Sequence, residues 1–560
     1  MKDIAGGPLV YAALGGAGEI GMNSYIYGIG EEAERQWIMV DLGIGFGDMD
    51  TAPGVELIVP DISFVVEERA RLQGLFVTHG HEDHIGAIPH LWDRLQVPIY
   101  ARPFTAELTR RKLQEAGMDP GVVREVQHGE RVRAGAFEVE FINVTHSIPE
   151  ASMLAIRTPA GLAVHSGDFK MDVDPQVGEP FDIAPFEALG DEGVQALACD
   201  STNVFLPGHA GSEAEVVDNL VRLIRAAPRA VAATSFASNV ARLRTLAMAA
   251  REAGRAVVVV GRAMRRMIEV AVLTGLIKDF PETVPDDRAT EIPDENLFYL
   301  VTGSQGEARA ALSRIAAGTH PTVSMGEGDT VLFSSKTIPG NEAGIYRLYN
   351  RLSERGIKVI DGEMERIHVS GHARRDDLAR LYAALRPRVA VPLHGEHRHL
   401  VEHAESARGW GASHAVVAPN GTLARLDGNA PGLVDDFGAG RIYLDGTVHV
   451  GSHDGVIRER LRLARLGLIV VSVVIDEDGE LIADPEVTAM GLRLEDDDWP
   501  RPLEAMVVQA VDRALDDASP KQLKSDGGVE DACVRAVRRV AAKRLGKKPL
   551  VTVMIHRLED

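Results

Sequence analysis

Thr78-His79-Gly80-His81-Glu82-Asp83-His84-Ile85-Gly86 follows the apolar run Leu75-Phe76-Val77. That run reads as a buried strand, so the segment is a loop at a strand end. Four potential metal ligands, His79, His81, Asp83 and His84, fall within six residues. Neutral imidazoles and a carboxylate at this density suit a borderline cation such as zinc, because they can converge from one tight loop. They exceed what one tetrahedral site needs. If His79 and His81 point one way and Asp83 and His84 the other, the loop serves two neighbouring metals, each needing further ligands from elsewhere in the chain. A solvated polar turn is the plain alternative, and the strand-then-loop context speaks against it.

The spacing His-x-His-x-Asp-His resembles that of the metallo-β-lactamase superfamily, which implies a four-layer αβ/βα sandwich with metals at the sheet edge. Two later segments repeat the arrangement of a strand followed by a ligand. Residues 137–144 lead into Thr145-His146-Ser147, and residues 162–164 into His165-Ser166-Gly167-Asp168. By order and context they match the superfamily's third histidine, His146, and its metal-bridging aspartate, Asp168. His165 precedes its motif on the strand and reads as a core or supporting histidine. Asp41 ends the apolar run 37–40, where the superfamily has an aspartate that supports the ligand loop. Further upstream, Gly16-Ala17-Gly18-Glu19-Ile20-Gly21 fits Gly-x-Gly-x-x-Gly. Dinucleotide binding needs a helix there, whereas residues 23–29 alternate like a strand. The glycines therefore read as a tight hairpin beside the metal cleft.

A new α/β unit begins after Ala198-Cys199-Asp200-Ser201-Thr202-Asn203. Short buried strands are predicted at residues 230–234, 256–260, 297–301 and 331–334, with helices at 213–225 and 241–252. Histidines return in His368-Val369-Ser370-Gly371-His372 and Pro392-Leu393-His394-Gly395-Glu396-His397. An insertion with Asp200 before it and His372 and His394 after it resembles the β-CASP branch of the superfamily, whose members cut nucleic acids. Asp200-Ser201-Thr202-Asn203, Thr302-Gly303-Ser304-Gln305-Gly306-Glu307, Ser334-Ser335-Lys336-Thr337-Ile338-Pro339-Gly340-Asn341-Glu342 and His394-Gly395-Glu396 resemble the bacterial ribonuclease J family. The likeness spans residues 9–445, and residues 456–560 match that family's C-terminal domain by domain order.

This resemblance implies an α/β fold: a metallo-β-lactamase αβ/βα sandwich, an inserted β-CASP α/β domain and a small α/β C-terminal domain. The expected boundaries are 1–204 and 362–427 for the sandwich, 205–361 for the insertion, 428–455 for a linker and 456–560 for the C-terminal domain. The implied activity is that of a metal-dependent ribonuclease in RNA processing and decay. It combines 5′-to-3′ exonuclease and endonuclease action and hydrolyses phosphodiesters with a hydroxide activated by two metals. Carried over position by position, His79, His81 and His146 hold one zinc, Asp83, His84 and His394 the other, and Asp168 bridges them. The resemblance thus implies two zinc ions per subunit, with manganese or magnesium as alternatives in activity. Asp200 keeps His372 oriented or protonated, and His372 either gives a proton to the departing 3′ oxygen or simply binds phosphate. His368, Ser370, Gly371 and His397, joined by Ser235, Phe236, Ala237, Ser238 and Asn239, are the family-level candidates for a pocket holding a 5′-monophosphate. The implied partner is single-stranded RNA, preferentially 5′-monophosphorylated. A homodimer or homotetramer through the C-terminal region is expected.

The 560 residues suggest three or four domains, and 45% hydrophobic with 25% charged residues is ordinary globular composition. Cys199 and Cys533, the two cysteines, offer neither a metal spacing nor a disulfide framework, which suits a reducing cytoplasm. The first ten residues lack an export signal, and no apolar run has membrane-spanning length. A net charge of −22 argues against nonspecific nucleic-acid binding over the whole surface. Local clusters can still form a positive channel, and Arg535, Arg538, Arg539, Lys543, Arg544, Lys547 and Lys548 read equally as an RNA grip or a solvated helix face. A small-molecule hydrolase shares the first loop but leaves the insertion unexplained. A DNA-cutting β-CASP nuclease lacks the ribonuclease J segments. A noncatalytic RNA-binding scaffold has no use for a complete ligand set.

Overall fold

The computed structural model describes residues 7–558 except 49, 339, 429, 497 and 498. Part of the N-terminal stretch, Pro339 within the 334–342 segment, Asn429 in the expected linker and the last two residues therefore lie outside the described residues. The chain forms two compact units, Met1–Gly45 with Val59–Arg441, and Phe46–Ile58 with Ile442–Asp560.

In the first unit, two sheets face each other. One runs Gly432–Asp436, Thr422–Arg425, Leu9–Gly15, Ser24–Ile29, Gln36–Val40, Leu72–Phe76, Ile99–Ala101, Val123–Glu125. The other runs Arg131–Ala134, Phe137–Asn143, Ser152–Thr158, Gly161–His165, Val194–Asp200, Val389–Leu393, His414–Ala415. Tyr11, Tyr27, Ile38 and Phe76 from the first sheet meet Phe137, Phe141, Ile156 and Val391 from the second in one apolar core. Residues with the opposite parity, such as Met153, Leu162, Val164 and Leu197, turn outward beneath the helices Ala184–Glu192 and Arg375–Leu385. A strand buried on both faces must be apolar at every position, as Leu9–Gly15 is. This is the metallo-β-lactamase sandwich.

Leu9–Gly15 and Ser24–Ile29 pair antiparallel, so the glycine-rich segment is the expected hairpin. Between the strands Val194–Asp200 and Val389–Leu393 the chain builds a parallel sheet ordered Ala256–Val260, Leu297–Val301, Val231–Thr234, Thr330–Phe333, Lys358–Ile360, the β-CASP insertion. The stretch expected as a linker is folded: it forms strands Gly432–Asp436, Arg441–Asp445 and Val448–Gly451. Its glycines and aspartates mark turns between short strands, a composition that resembles a flexible linker's.

In the second unit, Leu468–Ile475 pairs with Leu481–Met490 and Leu550–Arg557. Its alternate residues Ile469, Val471, Val473 and Ile475 are buried against Val507, Val511, Val529 and Val537 of the helices Leu503–Asp516 and Asp526–Leu545. The basic residues 535–544 extend that second helix, whose opposite side supplies core residues.

Candidate metal centre

Strand ends place the ligands. The loop after Leu72–Phe76 carries His79 and His81, and the single turn Glu82–Ile85 carries Asp83 and His84. His146 follows Phe137–Asn143, Asp168 follows Gly161–His165, Asp200 ends Val194–Asp200 and His394 follows Val389–Leu393. The last three strands are parallel neighbours, so their C-terminal ends open at one edge of the sheet. Asp41 and His394 both have left-handed backbones, with φ of 58° and 50°. That conformation costs a residue with a Cβ about 1–2 kcal/mol, and here it turns each side chain sharply off its strand. The His394 N–H is anchored to Gly16 O at 2.7 Å. A Cβ on Gly16 would stand 2.2 Å from Tyr25 Oη, so only glycine fits.

The donors form two groups that share Asp168. His79, His81 and His146 join it in one, Asp83, His84 and His394 in the other, with ligand atoms in each group within 4.8 Å of one another. An overlapping group contains Asp168, Asp200, His372 and His394. His81 Nδ1 lies 3.1 Å from Nε2 of both His79 and His146. The His146 Nδ1–H donates to Gly371 O at 2.6 Å, leaving the Nε2 lone pair turned toward His81. Asp41 Oδ2 holds His84 Nδ1 at 2.7 Å, and His84 Nε2 stands 3.3 Å from Asp168 Oδ2. His394 Nε2 is buried without a hydrogen-bond partner, 3.4 Å from Asp83 Oδ2. Converging imidazole nitrogens, carboxylates and an unsatisfied buried nitrogen fit a divalent metal.

Burial pulls the His79 and His146 imidazoles well below their ordinary range and His81 down to about 4. Burial also opposes charge on His84, but Asp168, Asp83 and Asp41 outweigh it and push that ring up to about 10. His394 goes well above its ordinary value for the same reason, with Asp168 the main carboxylate. Against their own burial, Asp168 is held well below the carboxylate range by His394 and His84, and Asp83 is lowered chiefly by His84.

Support for these ligands comes from behind. Asp41 accepts hydrogen bonds from the Thr78 N–H and Oγ1–H, both at 2.8 Å, so its carboxylate fixes the start of the loop and the His84 ring together. Asn23 Nδ2 donates to Asp83 Oδ2 at 3.2 Å, and Tyr25 Oη–H donates to Asn23 Oδ1 at 2.6 Å. Asn23 was not singled out in the sequence, where it reads as one polar residue entering a strand. His165 is fully buried, contacts Tyr27 Oη through Nδ1 at 3.0 Å and is pulled down to about 3 by burial. It is a core histidine. Beside the donors, Asp200 Oδ2 holds His372 Nδ1 at 2.8 Å. Burial lowers His372, and Asp200 with Asp168 overcomes it, so the imidazolium is favoured.

A pocket of about 330 Å³ opens nearby, lined by His209, Lys336, Arg366, His368, Ser370 and Arg374 among others. His368 and Ser370 were expected in a pocket. Gly371 packs against the candidate ligand His146 instead: a Cβ there would come 2.9 Å from His146 Cε1. Ser235, Phe236, Ser238 and Asn239 join the strand Val231–Thr234 to the helix Val240–Glu252, where Asn239 caps the helix through Arg242 N, and they do not line this pocket. Neither does His397, which opens the helix His397–Gly409 as an exposed residue. Lys336 lies inside the 334–342 segment, but neither it nor Arg374, Arg366 and His209 is marked as a pocket residue by the sequence, because cations in loops carry no spacing signal.

The comparisons with known proteins agree with this architecture. A Beta-lactamase superfamily domain matches residues 36–214, the Ribonuclease J, beta-CASP domain matches 228–352, a Zn-dependent metallo-hydrolase RNA specificity domain matches 347–417, and the Ribonuclease J C-terminal domain matches 455–558. Ribonuclease J of Sinorhizobium meliloti is 41% identical over 98% of this chain and 97% of its own length. Ribonuclease J of Synechocystis is 37% identical over 97% and 86%. A solved protein of unknown function from Enterococcus faecalis, 16% identical, aligns with a TM-score of 0.51 over 74% of this chain and 99% of its own, a likeness of fold. With such relatives matching nearly from end to end, the chain belongs to the ribonuclease J family.

Proposed function

We propose that this ribonuclease is zinc-dependent and cuts single-stranded RNA both from its 5′ end and internally, in the cytoplasm. The observation that carries the reading is that two complete donor groups share Asp168. His79, His81 and His146 would hold one zinc and Asp83, His84 and His394 the other, with Asp168 common to both. The oxygen donors also suit manganese or magnesium. When bound, such metals supply a nucleophilic water at neutral pH and offset charge on the phosphate.

The protein's own groups do the remaining work. Asp41 and Gly371 O hold the His84 and His146 rings so that their free nitrogens face inward. Asp200 keeps His372 oriented and favours its protonated form, so that the imidazolium can give its proton to the departing 3′ oxygen. The products are a 3′-hydroxyl and a 5′-phosphate. His368 and Ser370, with Lys336 and Arg374, line the pocket that receives the 5′-monophosphate. The RNA path runs between the sandwich and the insertion, 205–361. Among the described residues no helix is long and apolar enough to cross a membrane, and both cysteines are free and buried, in keeping with a cytoplasmic place. A homodimer or homotetramer through residues 456–560 is testable by sedimentation.

The experiment is digestion of matched 5′-monophosphate, 5′-triphosphate and 5′-hydroxyl RNAs by metal-replete protein, with product ends mapped. Fastest loss of the monophosphate RNA and 5′-phosphate products are expected. Cleavage surviving chelation, or products ending in 3′-phosphate, would refute the reading.

A further inference from the structure

Between the turn that carries Asp168 and the pocket runs a buried chain of charges. Lys170, two residues past Asp168, is 1% exposed, and its Nζ pairs with Asp172 Oδ2 at 2.8 Å. The same turn is sewn to the His146 loop: Lys170 N–H donates to Thr145 O at 2.8 Å and Asp172 N–H to Thr145 Oγ1 at 2.9 Å. Asp172 Oδ2 also accepts the Glu213 N–H at 3.0 Å. Glu213, 2% exposed, takes both arms of Arg242, with Nε to Oε2 and Nη2 to Oε1 each at 3.0 Å. Arg242 is fully buried. Its remaining nitrogen, Nη1, donates to Ser334 Oγ at 2.6 Å and to Ile367 O at 2.8 Å, while Ser334 Oγ–H donates to Ile367 O at 2.6 Å. Ile367 immediately precedes His368, a lining residue of the pocket.

Ion pairs this deeply buried add little net stability compared with well-packed apolar side chains of the same volume. What a guanidinium fork with every arm occupied does supply is a single geometry. Arg242 joins three segments distant in sequence: Glu213 at the start of the insertion, Ser334 at the end of the strand Thr330–Phe333, and the backbone that leads into His368. Through Glu213 and Asp172 the junction reaches the turn bearing Asp168. We propose that Arg242 is a positioning residue that fixes the pocket's distance from the metal centre and thereby lets a 5′-monophosphate be registered for cleavage. His368, pulled down to about 3 by burial first and by Arg242 next, is a neutral group that depends on this frame for its placement.

The proposal rests on the reading that the pocket receives the 5′ end, and the test separates the two. Arg242→Lys keeps the charge but replaces the fork with one ammonium, and Ser334→Ala removes the Oγ that bridges the Nη1 arm to Ile367 O while leaving that arm its backbone partners. Both are compared with the unaltered enzyme on matched 5′-monophosphate and 5′-hydroxyl RNAs, with kcat and KM separated, product ends mapped, zinc counted and melting followed. Each variant should lose about tenfold or more of the preference for monophosphate RNA and produce blurred 5′-terminal product lengths. Zinc content and cleavage of 5′-hydroxyl RNA should stay within about threefold. If Arg242→Lys does not melt cooperatively, Ser334→Ala decides alone. Unchanged preference with sharp product lengths, or equal slowing of both RNAs, would overturn the role of Arg242. An unaltered enzyme without monophosphate preference would instead overturn the pocket reading beneath it.

Discussion

The metal centre and the neighbouring pocket are assembled in opposite ways. In the centre, ligands arrive from strand ends, and several are locked by partners close behind them, as His84 is by Asp41 and His146 by Gly371 O. In the pocket, Arg366, His368 and Arg374 come from the one segment between Lys358–Ile360 and Arg375–Leu385, while His209 and Lys336 come from two other loops, and the backbone leading into His368 is held by the buried Arg242. The first is a convergent point where removing one group leaves a defective site. The second is a distributed surface that would share one anion among several groups, with the Glu215 carboxylate paired to Arg366. Losses in the centre should therefore be near-total, and losses in the pocket graded and substrate-specific.

The largest effect is expected from His81→Ala. His81 lies on the loop outside the apolar cores, so RNA cleavage should fall to background with circular dichroism and melting nearly unchanged. Full activity in this variant would dissolve the distinction. Next come Asp200→Asn and His372→Ala, each slowing cleavage by about 10²–10⁴-fold, the range of a lost general acid. Because the pair acts through one hydrogen bond, the double variant should be little worse than either single one. Multiplying losses would mean two separate roles. Asp41→Asn keeps the shape but weakens the hold on His84, and metal affinity measured by chelator competition should drop by about 10–100-fold. On the pocket side, Lys336→Ala should raise KM for 5′-monophosphate RNA by about tenfold while leaving 5′-hydroxyl RNA untouched. Equal effects on both RNAs would show that Lys336 belongs to the general RNA path.

The same contrast explains what was legible in the sequence. The candidate ligands follow apolar runs, His79 to His84 after a strand of the first sheet and His146, Asp168 and His394 after strands of the facing sheet, so strand periodicity and residue type together mark them. Strands such as Phe137–Asn143 and the insertion's parallel runs were equally readable. Asn23 was not, because its role depends on a hydrogen bond to Asp83, sixty positions away. Arg242 looked like any cation on an amphipathic helix, yet it is fully buried by partners 29, 92 and 125 positions distant. Residues 428–455 misled because glycine and aspartate serve short strand turns as readily as linkers.

The most direct test of the account is the metal count per chain, measured by mass spectrometry after zinc equilibration and desalting, for the unaltered protein and for His81→Ala and His394→Ala. Two donor groups sharing Asp168 predict two zinc ions in the unaltered protein and a loss in each variant, which breaks one group apiece. One zinc or none in the unaltered protein, or two retained in both variants, would contradict it.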